Sequence, residues 1–168
     1  MKYVVIEMEN GDVMKGELYP EIAPETVANF EKLVKEGFFD GTHFHRIIPG
    51  FVIQGGDPTG TGTGGSSETI RGEFRANGID NKLSHRKGVL SMARSGSYTS
   101  GFDTASSQFF ICLDDSCKSL DGYYAPFGYV KNGIDVVDSI AAVPTDAGDY
   151  PRVVSDDVII KKCSVIYE

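Results

Sequence analysis

The sequence predicts a mainly β fold with two helices, and three observations predict it. Short runs rich in branched and aromatic residues recur along the chain, glycine, aspartate and serine separate them, and only two segments carry a helical apolar period. Strands that alternate with loops rather than with helices argue against a doubly wound parallel sheet. They argue for a closed or nearly closed β-barrel whose ends the helices cover.

KYVVIEME and VMKGEL, joined through Glu9-Asn10-Gly11-Asp12, read as two strands with a tight Asn-Gly turn. Ala23-Pro24-Glu25-Thr26 then opens a helix. Proline suits the first helical turn, Glu25 complements the positive end of the dipole, and Gly37 ends the segment. Val27, Phe30, Leu33 and Val34 give this helix one apolar stripe. FHRII, FVIQGG, GVLSMA, QFFICL and APFGYV follow as short strands. IDVVDSIAAV, with Val136, Val137, Ile140 and Ala141 on one side, is a second helix that stops at Pro144, and VIIKKCSVIY is the last strand. DPTGTGTGGSSETIRGEF and SGSYTSGFDTASS read as long surface loops, the kind that often carries function.

At 168 residues the chain is expected to form one domain over 1–168, and no repeat or linker divides it. A net charge of -8 without any Lys/Arg-rich run excludes a nucleic-acid partner. No signal peptide or membrane span is read, and Cys112, Cys117 and Cys163, an odd number without C-x-x-C spacing, suggest free thiols in a reducing cytoplasm.

Several motifs are set aside. Gly60-Thr61-Gly62-Thr63-Gly64-Gly65 matches G-x-G-x-x-G, but the segment after it lacks the helix that a dinucleotide site requires. His43 and His45 share a strand face, yet lack further metal ligands nearby and read as residues that pack or make a surface hydrogen bond. No G-x-S-x-G elbow marks a nucleophilic serine.

The segment FHRIIPGFVIQGGD poses the functional question, because Arg46 and Gln54 stand among branched aliphatics. Period-two alternation gathers Arg46, Ile48, Val52, Gln54, Gln108 and Phe110 on one face, with Leu90 and Met92 toward the core. Alternation alone leaves two readings level: an apolar floor ringed by polar donors, as in a ligand site, or an outer wall on which Arg46 reaches water.

FHRIIPGF-x-x-QGGD, the following G-T-G-G loop, SMA, SQFFI, LDG-x-x-x-x-FG and the early A-P-x-T-x-x-N-F helix, taken in order, resemble the cyclophilin family of peptidyl-prolyl isomerases. The resemblance implies a closed eight-stranded antiparallel β-barrel capped by two α-helices, with the site on its outer face. It implies Arg46 as the catalytic cation and Phe51, Val52, Phe110 and Leu120 as walls of a proline pocket, with Ile48 beside them. Gln54 is then expected to hold substrate backbone, and Ala93, Arg94 and Ser95 to line the groove through their backbone. Gly62 and Gln108 complete its outer part, and Tyr124 lies near the proline carbonyl. No metal or cofactor is implied. The expected partners are proline-containing peptides and unfolded proteins, with the chain acting as a monomer that assists folding. A proline-peptide binding module or holdase without turnover is the alternative.

The chain departs from many members, mostly eukaryotic ones, at three positions. Ser119 stands where they carry Trp, so weak cyclosporin A binding is expected; Tyr124 stands in place of His; Arg94 replaces a commoner Asn, a change that backbone contacts should tolerate. These features resemble bacterial cyclophilins more than eukaryotic ones.

Overall fold

A computed structural model describes all 168 residues. Eight strands form one antiparallel sheet: β1 (Lys2–Met8), β2 (Val13–Leu18), β3 (Arg46–Ile48), β4 (Val52–Gly55), β5 (Val89–Met92), β6 (Phe109–Cys112), β7 (Pro126–Asn132) and β8 (Ile160–Tyr167). Their order across the sheet is β3-β4-β6-β5-β7-β2-β1-β8. Helices α1 (Pro24–Lys35) and α2 (Ile134–Ala141) are the two read from periodicity, and two 3₁₀ helices, Arg75–Asn77 and Asp115–Leu120, add to them. No helix is long and apolar enough to cross a membrane.

The expected closed barrel is corrected to a curled sheet whose edges, β3 and β8, form no continuous ladder. The isolated bridge His43↔Ile159 and the backbone bonds Phe44 N–H to Val158 O at 3.0 Å and Ile160 N–H to Thr42 O at 2.8 Å span the seam. The reason is local. β3 is three residues long, and the chain before it turns through Gly41 at φ +83, so only scattered groups meet β8.

Inside the curl, Val4, Ile6, Leu90, Met92, Phe109 and Ile111 point inward, and both helices lay their stripes on them: Val27, Phe30, Leu33 and Val34 from α1, Val137 and Ile140 from α2. Phe30 is the hub, with ring centroids of Phe127, Phe39 and Phe109 at 5.0, 5.2 and 5.5 Å. Burial of a side chain of this size contributes about 1.5–3 kcal/mol.

The start of α1 has no capping side chain of its own. Glu73, buried at 1% exposure, supplies the acceptor instead, taking Thr26 N–H at 2.6 Å and Thr26 Oγ1 at 2.7 Å. A carboxylate at a helix N-terminus satisfies an orphan donor and meets the positive end of the dipole. A smaller apolar cluster lies on the outer face of β4, β5 and β6: Val52, Val89, Phe110, Cys112 and Cys117, flanked by Phe51, Leu120 and Tyr124. The candidate site lies on that outer cluster.

Candidate active site

The β3–β4 hairpin sets the register on which everything else depends. Arg46 pairs directly with Gln54 and Ile48 with Val52, and Gln54 then pairs with Phe110 on β6. Directly opposed residues share a face. Arg46, Gln54 and Phe110 therefore stand side by side on the outside, while Ile47, Ile53 and Ile111 fill the core.

Arg46 is exposed and donates from Nη1 to Gln54 Oε1 at 3.2 Å. Gln54 Nε2 donates to Gln108 Oε1 at 2.9 Å, and Gln108 Nε2 donates to the carbonyls of Gly62 and Gly64 at 3.0 and 2.8 Å. Asp57 anchors the far end, its carboxylate accepting Gly62 N–H at 2.7 Å, Gly64 N–H at 3.1 Å and both the N–H and hydroxyl of Thr59. Burial alone would push the Asp57 carboxyl up, but these donors outweigh it and hold the group down at about 2. The polar chain thus runs from a buried carboxylate to an exposed guanidinium, with each amide oriented by its neighbour.

Two hollows flank Gln54. The inner one, about 200 Å³, is lined by Arg46, Phe51, Val52, Gln54, Ala93, Arg94, Phe110, Leu120 and Tyr124. The outer one, about 510 Å³, is polar: Gln54, Gln108 and the Gly62–Ser66 loop face Ala93, Arg94, Ser95 and Thr104 across it. All the residues named from sequence lie on these two hollows except Ile48, which is half-buried opposite Val52 at the end of β3. Ser119 is exposed and lines neither hollow.

Behind Phe110 lies an arrangement that sequence reading missed. The His85 ring stacks on Phe110 at 6.0 Å, its Nδ1 lies 2.8 Å from Asp121 Oδ1, and its Nε2 lies 2.8 Å from Ser91 Oγ. With Nδ1 donating to the carboxylate, Nε2 accepts the serine hydroxyl. The order resembles an acid-base-nucleophile triad, but His85 and Ser91 are both at 0% exposure, so no substrate carbonyl reaches the hydroxyl. The group props the floor of the inner hollow. Burial pushes the His85 pKa down against the pull of Asp121 and keeps the ring neutral. His45, beneath Gly62, is also pushed down by burial, and neither of its ring nitrogens has a hydrogen-bond partner.

Cys112 and Cys117 lie at 0% exposure under the same floor, Cys117 donating to Phe51 O at 3.2 Å. The neighbouring Cys117 thiol and burial both push Cys112 up, and burial pushes Cys163 up to about 12.

The model of the cyclophilin type peptidyl-prolyl cis-trans isomerase/CLD family matches residues 3–165. The chain belongs to the cyclophilin family. Among similar proteins, peptidyl-prolyl cis-trans isomerase B of Bacillus subtilis (strain 168) is 49% identical over 135 residues, which is 80% of this chain and 87% of that one. Peptidyl-prolyl cis-trans isomerase-like 1 of Rhizopus delemar is 50% identical over 147 residues, 87% of this chain and 84% of that one. The crystal structure of a Cryptosporidium parvum cyclophilin type isomerase in the presence of the dipeptide Ala-Pro superposes with a TM-score of 0.85 at 34% identity, covering 99% of both chains. Bacterial and fungal relatives thus match this cyclophilin at similar identity.

Proposed function

We propose that this cyclophilin catalyses rotation about X-Pro peptide bonds in unfolded proteins, with Arg46 as the catalytic cation. The observation that carries the reading is a guanidinium with no carboxylate partner at the edge of a small apolar hollow, steadied by Gln54. A proline ring is the substrate part that fits such a hollow, and the Ala-Pro dipeptide named for the Cryptosporidium parvum relative agrees with it.

The chemistry follows from the amide. Resonance gives the planar peptide a rotation barrier of about 18–20 kcal/mol, and uncatalysed exchange at proline takes tens of seconds or longer. When the bond twists, the nitrogen recovers its lone pair and the carbonyl loses polarity. A fixed guanidinium aimed at that nitrogen binds the twisted form better than the planar one, and this difference lowers the barrier. Arginine suits the task because it stays charged and presents a rigid fork of donors. Phe51, Val52, Phe110 and Leu120 grip the ring, and Gln54, Gln108, the backbone of Ala93, Arg94 and Ser95, and Gly62 hold the peptide on either side.

Acceleration from tens of seconds to milliseconds is about 10⁴-fold, or roughly 5.5 kcal/mol. One preorganised donor supplies about 2.7–4 kcal/mol, so Arg46 accounts for half or more and the hollow for the rest. A holdase has no use for a cation at the imide nitrogen, which sets the binding-module reading second.

The proposal takes the whole chain as one such unit acting as a monomer. Its three cysteines are free and buried, which agrees with a reducing cytoplasm. Two-dimensional NMR exchange on an Ala-Pro peptide tests the function: cross-peaks between cis and trans signals are expected at catalytic amounts of protein. Shifts from binding without such cross-peaks would favour the module.

A further inference from the structure

The side chain of Arg94 does not reach into open groove; it turns back into the loop that follows it. Nε donates to Tyr123 O at 2.7 Å, Nη1 to Ser95 O and Ser100 O, both at 3.1 Å, and Nη2 to Ser97 O at 2.9 Å. The guanidinium carbon lies 4.9 Å from the ring centroid of Tyr124, 5.2 Å from Phe74 and 5.3 Å from Phe102. Carbonyls occupy its edge and aromatic rings surround it. Charge-assisted hydrogen bonds and cation–π contacts of this kind hold a guanidinium in place more firmly than neutral contacts do.

The loop needs this support. Residues 95–101, SGSYTSG, contain three serines and two glycines, and their one large apolar group, Tyr98, is 65% exposed. A polar segment that buries so little does not offset the entropy of its own ordering. Its neck is closed from the other side by Thr104, whose hydroxyl accepts Ser95 N–H at 2.9 Å and donates to Gly101 O at 2.7 Å. There the strands of the loop pass so closely that a Cβ on Gly101, at φ +71, would stand 2.4 Å from Ser95 O.

Arg94, Ser95 and Thr104 form one wall of the outer hollow, facing the Gly62–Ser66 loop. The inner hollow stands mainly on Phe51, Val52, Phe110 and Leu120, which lie outside this loop. We propose that Arg94 is a positioning residue that sets how far along the peptide this cyclophilin reads. By holding residues 95–101 it builds the outer wall, so peptides that continue beyond the X-Pro pair bind and turn over better than the pair alone. Lysine cannot replace it, because a point charge on a flexible stem has three donors and no rigid fork with which to serve four carbonyls. For turnover the inference rests on the isomerase reading, whereas for binding it stands independently.

The test compares a capped Ala-Pro dipeptide with a capped octapeptide centred on Ala-Pro, by NMR titration for affinity and by exchange spectroscopy for turnover. Wild type, Gly101→Ala and Arg94→Lys are measured, with melting curves alongside. Gly101→Ala strains the loop neck without touching the inner hollow. It is expected to leave dipeptide affinity and exchange within about two-fold while cutting the octapeptide's advantage about ten-fold, the scale of a lost preorganised wall. Arg94→Lys is expected to lower that same octapeptide-to-dipeptide ratio. A ratio unchanged in both variants, or equal losses on both peptides, overturns the inference. If wild type binds both peptides but exchanges neither, while the affinity ratio falls as stated, the isomerase reading fails and this one stands.

Discussion

Arg46 and Gln54 stand directly opposite each other on the β3–β4 hairpin, and the amide oxygen of Gln54 takes a hydrogen bond from the guanidinium at 3.2 Å. The amide also donates to Gln108, so its oxygen is held toward Arg46 and its nitrogen away from it. Replacing it by a carboxylate puts an opposite charge where a neutral acceptor now sits. Gln54→Glu is therefore expected to pin the cation in an ion pair and lower kcat by about ten-fold, an effect on the scale of 1–2 kcal/mol. Exchange rates at saturating peptide check this, and an unchanged kcat contradicts it.

Cyclosporin A is expected to bind weakly, because Ser119, exposed and one residue before the hollow-lining Leu120, offers a hydroxyl where the family often places an indole. Titration calorimetry should give an affinity well short of nanomolar, and Ser119→Trp should tighten it by at least about ten-fold, since an indole there adds a large apolar surface for the ligand to cover. Nanomolar binding by the unmodified chain contradicts the expectation.

Glu73 tests a contact that joins residues 47 positions apart. Glu73→Ala leaves the buried N–H of Thr26 without an acceptor and is expected to cost about 1–3 kcal/mol in urea unfolding. Glu73→Gln keeps an acceptor oxygen and should recover most of that loss. If the alanine variant unfolds like wild type, the cap contributes nothing.

Stability should fall in two steps on acidification. His43, His45 and His85 are all held below the ordinary value of 6.5, in each case chiefly by burial. The unfolded chain takes up protons near 6.5 that the folded chain refuses, so stability present above that pH is lost progressively below it. Asp57 is held down at about 2 from an ordinary 3.8; it contributes stability above 3.8 that is lost as pH falls through that window. Melting temperatures followed downward from about pH 7.5 should therefore decline below about 6.5 and again below about 4. A flat profile between about pH 7 and 5 contradicts the histidine part.

The strands and helices were legible because their signals are local. Alternation in FHRII and FVIQ groups Arg46 with Ile48 and Gln54 with Val52, and the register of β3, β4 and β6 brings both pairs to one face beside Phe110. Proline at the start of α1 and glycine past its end marked the helix within a residue or two. What could not be read is held by contacts between distant residues. Nothing near Thr26 announces Glu73, and nothing in SMARSGSYTSG shows that Arg94 folds inward onto carbonyls and rings rather than standing in the groove. Asp115–Leu120 escaped because a 3₁₀ turn of polar residues has no apolar period, and the seam between β3 and β8 because isolated bridges leave no pattern.

The central claim is that Arg46 stabilises the twisted peptide bond, and cis/trans exchange of an Ala-Pro peptide with wild type and Arg46→Ala side by side tests it most directly. The account predicts that the variant keeps its melting temperature and peptide-induced shifts in the inner hollow while kcat/KM falls on the order of 10²–10³, the loss of one preorganised donor. Turnover near the wild-type rate in a folded, peptide-binding Arg46→Ala protein would contradict it.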